Sequence, residues 1–321
     1  MKRRPWISIV LVLLACAACE ACEKDVTPKG SGALAAQDQQ LFEYLPAGAT
    51  AVFGGNYMKL QQFMTTTLGK TMASTMDKYG PGMKEWMKCF TDLQGLRLAG
   101  SANVAGKGLE LRMIFTGMKV ADVAKCATAA SYATTIDPDG KFIAVELPAP
   151  AGKQGYLVAP NGALYMRQSM VISAAPTVTA ASRADLEADL QAAKASNVMG
   201  DAKLQGLIAK TDRTKTMWFA GTGAGTPIAN KLGELFGSFD LSNGFSADVS
   251  FQLLDGEDVD KLDSGVKEMK KMAAQLPGSM KDAVQSLQFD RKGDRVRFAV
   301  KLDDKQLGDL MKQASMFGGM H

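Results

Sequence analysis

The chain has 321 residues, of which 46% are hydrophobic and 22% charged, with a formal charge of +4. That is enough apolar material for one large core or two modest ones. Loss of the three leading cations Lys2, Arg3 and Arg4 would leave +1, so there is no electrostatic case for nucleic acid as a partner.

In chain order, the first pattern is Lys2-Arg3-Arg4 leading into an apolar run from Trp6 to Leu14, closed by Ala15 and Cys16. Charge, then apolar stretch, then small residue is the layout of a secretory signal, and the run is too short to span a bilayer comfortably. Leu13-Leu14-Ala15-Cys16 resembles the lipobox of bacterial lipoproteins, with leucine three before the cysteine and a small residue just before it. The resemblance implies removal of residues 1–15, lipidation at Cys16 and acylation of the new amino group. Several acyl chains would then hold the protein to membrane, which one chain does only marginally. With Ala17 rather than aspartate after the cysteine, such lipoproteins are generally sorted to the outer membrane, facing the periplasm or the cell surface. An ordinary signal peptide cut near Ala18 or Ala21 is the other reading of the same residues.

Residues 16–40 are small and polar, with Pro28, Gly30, Ser31 and Gly32, and read as a flexible tether. Strands are expected over 49–53, 93–104, 109–116, 142–147, 156–158, 163–168 and 170–173. Helices are expected over 58–90, broken near Gly80-Pro81-Gly82, over 120–130, and over 183–194 with Ser182 as cap. The second half reads as a strand over 216–220, a helix over 227–235, a strand over 245–253, a long helix, and a strand over 296–302. In that long helix Val259, Leu262, Val266, Met269, Ala273 and Leu276 recur at three and four, a buried stripe.

Residues 136–147 and 289–302 echo one another: hydrophobe and aspartate, glycine turn, strand. The expected class is α+β, as two divergent repeats of antiparallel sheet packed with helices. Residues 41–195 and 196–321 each run strand–helix–strand–strand–helix–strand. Convergent patterning within a single α+β domain would give the same echo.

Five cysteines stand at 16, 19, 22, 89 and 126. In an oxidising compartment Cys89 and Cys126 could form a disulfide or remain two buried thiols, and spacing alone does not choose. Cys16, Cys19 and Cys22 resemble iron–sulfur spacing, but a fourth cysteine is missing nearby and lipidation would consume the first. No cofactor or metal is expected.

Gly221-Thr222-Gly223-Ala224-Gly225 with Asp240 downstream resembles a dinucleotide loop, but the third glycine is misplaced and the flanking strands read as antiparallel. Ser264-Gly265-Val266-Lys267 matches the Ser-x-x-Lys of penicillin-binding proteins and serine β-lactamases without the Lys-Thr-Gly that should follow, on a solvated helix face. Asp137 and Asp139 could hold Ca²⁺ or merely form a turn. The single histidine is His321, which excludes a Ser-His-Asp triad within the fold. Nineteen methionines, among them the helical pairs Met72/Met76 and Met83/Met87 and the late Met311, Met316 and Met320, suit an adaptable surface for a protein or lipid partner. The expectation is a lipid-anchored envelope protein that binds or scaffolds and is not an enzyme. The alternative is a periplasmic hydrolase or a metal or ligand carrier with a site built from distant residues.

Overall fold

The computed structural model describes residues 30, 32, 36–66, 69–70, 73, 80–105, 108–148, 152–171, 177–223, 231–275 and 278–310. Cys16, the expected signal peptide and most of the expected tether lie outside them.

Helix α1 (Ala36–Phe42) precedes strand β1 (Ala51–Asn56), and Asn56 caps α2 (Tyr57–Thr65). Gly82, at φ 78°, starts α3 (Met83–Thr91) after the expected break. The hairpin β2 (Arg97–Ala105) and β3 (Gly108–Thr116) follows, then α4 (Val120–Ala129). Next come β4 (Thr134–Ile136), β5 (Phe142–Glu146), β6 (Lys153–Val158), β7 (Leu164–Val171) and β8 (Thr177–Ala180). Helix α5 (Arg183–Ala195) begins on a capping box in which the Ser182 hydroxyl accepts from the Asp185 amide, and the Asp185 carboxylate accepts from the Ser182 amide. After α6 (Ala202–Ala209) come β9 (Met217–Thr222), β10 (Leu232–Asp240), β11 (Phe245–Leu253), α7 (Gly256–Ala273), α8 (Gly278–Ser286), β12 (Gln288–Lys292) and β13 (Arg295–Leu302).

All thirteen strands form one antiparallel sheet in the order β12-β13-β11-β10-β9-β1-β2-β3-β7-β6-β5-β4, with β8 added on β7. The class is α+β. Its two halves meet where β1 pairs β9, with Phe53 opposite Phe219. Outward from that seam each half runs three strands in chain order, β1-β2-β3 on one side and β9-β10-β11 on the other.

Strand alternation sends Val52, Ala99, Ile114, Trp218, Ala220 and Phe236 to one face, where they pack with Phe42 of α1, Leu186 of α5 and Leu207 of α6. The opposite face is covered twice. Over the first half, Trp86 of α3 and Val123 and Cys126 of α4 pack on Ile143, Tyr156 and Met166. Over the second half, Val259 and Val266 of α7 pack on Phe251, Phe289 and Phe298. Each fully buried large side chain contributes about 1.5–3 kcal/mol. A disulfide joins Cys89 of α3 to Cys126 of α4.

One expected element is overturned. The helix read over 227–235 is not a helix where the chain is described, because Leu232–Leu235 belongs to β10. The second half therefore goes from β9 to β10 without the expected helix at those residues. Leu232 and Leu235 sit at a helical spacing, but pairing with β11 and β9 satisfies this backbone on both sides. Helix α6 and strand β8 were not anticipated.

Candidate functional site

The first site is a cleft of about 250 Å³ at the seam, where α1 crosses the ends of β1, β2 and β9. Its inner wall is Trp218. A Cβ at Gly54 would come within 2.6 Å of that indole, so glycine there lets the ring lie flat on β1. The Phe42 ring stands 5.7 Å from it, tilted by 42°. Leu41 and Leu96 continue the apolar lining.

The mouth of the cleft is charged. Arg97, the first residue of β2, places Nη1 3.5 Å from the Asp38 carboxylate of α1. Arg213, on the turn before β9, donates from Nη1 to the Ile208 carbonyl at 3.1 Å and to the Gly32 carbonyl at 2.8 Å. Burial lowers the pKa of its guanidinium from the ordinary value, against the pull of Asp38 and Asp212. Two fixed cations and one carboxylate thus rim an aromatic floor.

A second concavity, about 480 Å³, runs between α2 and α3. Met64 and Met87 line it together with Lys84 and Lys88. Gln61 ties the two helices by donating to the carbonyls of Thr91 and of Leu93, the latter at 3.0 Å. Of the expected methionine pairs, Met87 reaches this groove, whereas Met83 packs into the core beneath α4. Met72, Met76, Met311, Met316, Met320 and His321 lie outside the described residues.

The dinucleotide arrangement does not assemble. Gly221 pairs with Leu235, so Asp240 lies five residues further along β10, about 17 Å away at strand rise. Asp240 is occupied instead: Oδ1 accepts from the hydroxyls of Thr216 (3.0 Å) and Ser242 (2.7 Å), and Oδ2 from Lys59 Nζ at 3.2 Å. Burial alone would raise its pKa, but the hydrogen bonds from Ser242, Lys59 and Thr216 outweigh burial and hold it well below the usual carboxylate range. Ala224 and Gly225 lie outside the described residues.

In the Ser-x-x-Lys match, Ser264 is exposed and Lys267 Nζ bonds Asp263 at 3.0 Å, which keeps the amine protonated rather than available as a base. The pair Asp137 and Asp139 is filled by Arg183, whose Nη1 and Nη2 reach them at 2.8 and 2.7 Å. A guanidinium occupies the place a calcium ion would take. Among the described residues no group of three or more His, Cys, Asp and Glu could hold a metal, and no helix is long and apolar enough to cross a membrane.

One cluster escaped sequence reasoning. Arg112 of β3 and Arg167 of β7 stand directly opposite each other. Asp189 of α5 bonds Arg167 at 2.9 Å, accepts from the Tyr165 hydroxyl at 3.2 Å, and lies 3.5 Å from Arg112. Glu110 adds a second carboxylate at 2.6 Å from Arg112. Like charges facing across two strands would repel, and these carboxylates compensate them. The cluster is a docking device that fixes α5 on the sheet.

No protein-family model matches the chain, and no curated protein matches it. Among solved structures it is similar to crystal form III of TP0453, with a TM-score of 0.47 and 12% identity over 85% of this chain and 98% of that one. It is also similar to crystal form I of TP0453, with a TM-score of 0.44 and 12% identity over 85% of this chain and 96% of that one.

Proposed function

We propose that the chain is an envelope lipoprotein, held to membrane by lipid at Cys16, whose folded body binds or scaffolds a partner rather than catalysing. The observation that carries this reading is Leu13-Leu14-Ala15-Cys16 behind a basic, apolar leader. Three facts about the body support the non-catalytic half: Asp240, Lys267 and the Asp137–Asp139 pair, the polar residues that sequence motifs singled out, are engaged in internal bonds. The α2–α3 groove supports the binding half, since methionines give it an adaptable apolar lining and Lys84 and Lys88 favour an acidic protein partner or lipid surface.

The test is mass spectrometry of the mature N-terminus together with fractionation of a Cys16→Ser chain. Expected are an acylated Cys16 in the natural chain and release of the variant from the membrane fraction. An unmodified N-terminus downstream of Cys16, or a variant as firmly retained, would sink the anchor. The seam cleft favours a second version of the same reading, a ligand carrier.

A further inference from the structure

We propose that the seam cleft is a binding site for a small amphiphilic acid, an anionic head on a short apolar stem. The wall and the mouth ask for different chemistry. Trp218, Phe42, Leu41 and Leu96 offer an apolar lining in which a stem sheds water. Arg97 and Arg213 flank Asp38 at the rim, so a head arriving there meets two cations against one carboxylate. Guanidinium is the group of choice for carboxylate and phosphate heads, because its planar fork donates two parallel hydrogen bonds.

Size narrows the class. At roughly 30 Å³ for each water-sized group, about 250 Å³ holds about eight non-hydrogen atoms, the size of hexanoate. The site also needs both halves of the chain: Arg97 opens β2, whereas Arg213 and Trp218 precede and enter β9, across the seam. Asp38 occupies part of the positive field, so it acts as a built-in competitor for the ligand head.

The experiment is a calorimetric titration of the purified full-length chain with hexanoate, hexyl phosphate, hexylammonium and hexan-1-ol. Hexanoate or hexyl phosphate should bind, the tighter of the two identifying the head, with the alcohol at least about tenfold weaker. Arg97→Gln should weaken the acid about tenfold, while Asp38→Asn should tighten it a few-fold. The opposite signs matter, because mere damage to the cleft would weaken both variants. Equal binding of acid and alcohol, no binding of either acid, or both variants moving the same way would overturn the proposal. If Arg97→Gln fails to fold, the acid–alcohol comparison on the natural chain and the Asp38→Asn titration still decide. The same titration on the Cys16→Ser chain should be unchanged, which keeps this inference separate from the fate of the lipid anchor.

Discussion

The two halves of the sheet present the same exposed face and cover it by different means. Over the first half lie two short helices, α3 and α4, of 9 and 10 residues, held together by the Cys89–Cys126 disulfide. Over the second half lies the 18-residue α7, whose Val259, Val266 and Ala273 recur every two turns and are all buried. Beneath it, Phe298 stacks on Phe251 at 5.4 Å and meets Phe289 edge-on at 5.2 Å. A long stripe over aromatic rings needs no covalent staple, whereas helices of two or three turns bury too little surface to fix their own docking.

The comparison is broken hardest by Phe298→Ala. Removing the ring that touches both other phenylalanines should cost about 3–5 kcal/mol, seen as a lower denaturant midpoint. Trp86, in the core of the first half, reports whether that half follows. A shared midpoint would mean the sheet unfolds as one unit, and a loss under about 1 kcal/mol would show that α7 does not depend on the ring ladder.

Reduction of Cys89–Cys126 comes next. A crosslink spanning 37 residues should contribute about 3–4 kcal/mol in the chain-entropy model, so unfolding with reductant should come earlier by that amount. Unchanged stability in Cys89→Ser would mean that α3 docks on α4 by packing alone. At the seam a smaller effect is expected from Gly100→Ala. Its Cβ would collide with the Phe53 ring and stand 2.9 Å from the Arg112 carbonyl, for a loss of about 1–3 kcal/mol. Adding Phe53→Ala should recover part of that loss in a double-mutant cycle, and full additivity would refute the collision.

What could be read from the residues alone follows from how local each signal is. β11, α5 and α7 were legible because alternation, a serine cap and a three-four stripe lie within one element. Residues 232–235 misled because two leucines at a helical spacing outweighed a preference that only pairing with β9 and β11 reveals. The pairing of Cys89 with Cys126 was open for the same reason, since spacing carries no distance. The seam cleft and the Arg112–Arg167–Asp189 cluster were illegible. Asp38, Arg97, Arg213 and Trp218 come from four separate stretches, and only the antiparallel pairing of β1 with β9 brings them together.

The smallest expected effect sharpens the comparison at its two matching hairpins. The β4–β5 turn carries acids, Asp137 and Asp139, and borrows its base, Arg183, from α5. The β12–β13 hairpin reverses this: Arg291 sits beside the turn and reaches Asp260 of α7 at 2.5 Å. Each turn is tied to a helix by an ion pair, and the polarity is free to change. The first version has a signature. Hydrogen bonds from the Arg183 side chain and then the Lys141 amide hold Asp139 at about 2, below the ordinary value near 3.9. A carboxylate depressed on folding stabilises above its unfolded value, and that contribution fades as pH falls through about 2. Carboxyl carbon NMR should therefore find Asp139 titrating near pH 2 and, in Arg183→Gln, moving up toward the ordinary range. An Asp139 that titrates normally in the natural chain would mean the guanidinium is not held there, and the likeness between the two hairpins would stop at their backbones.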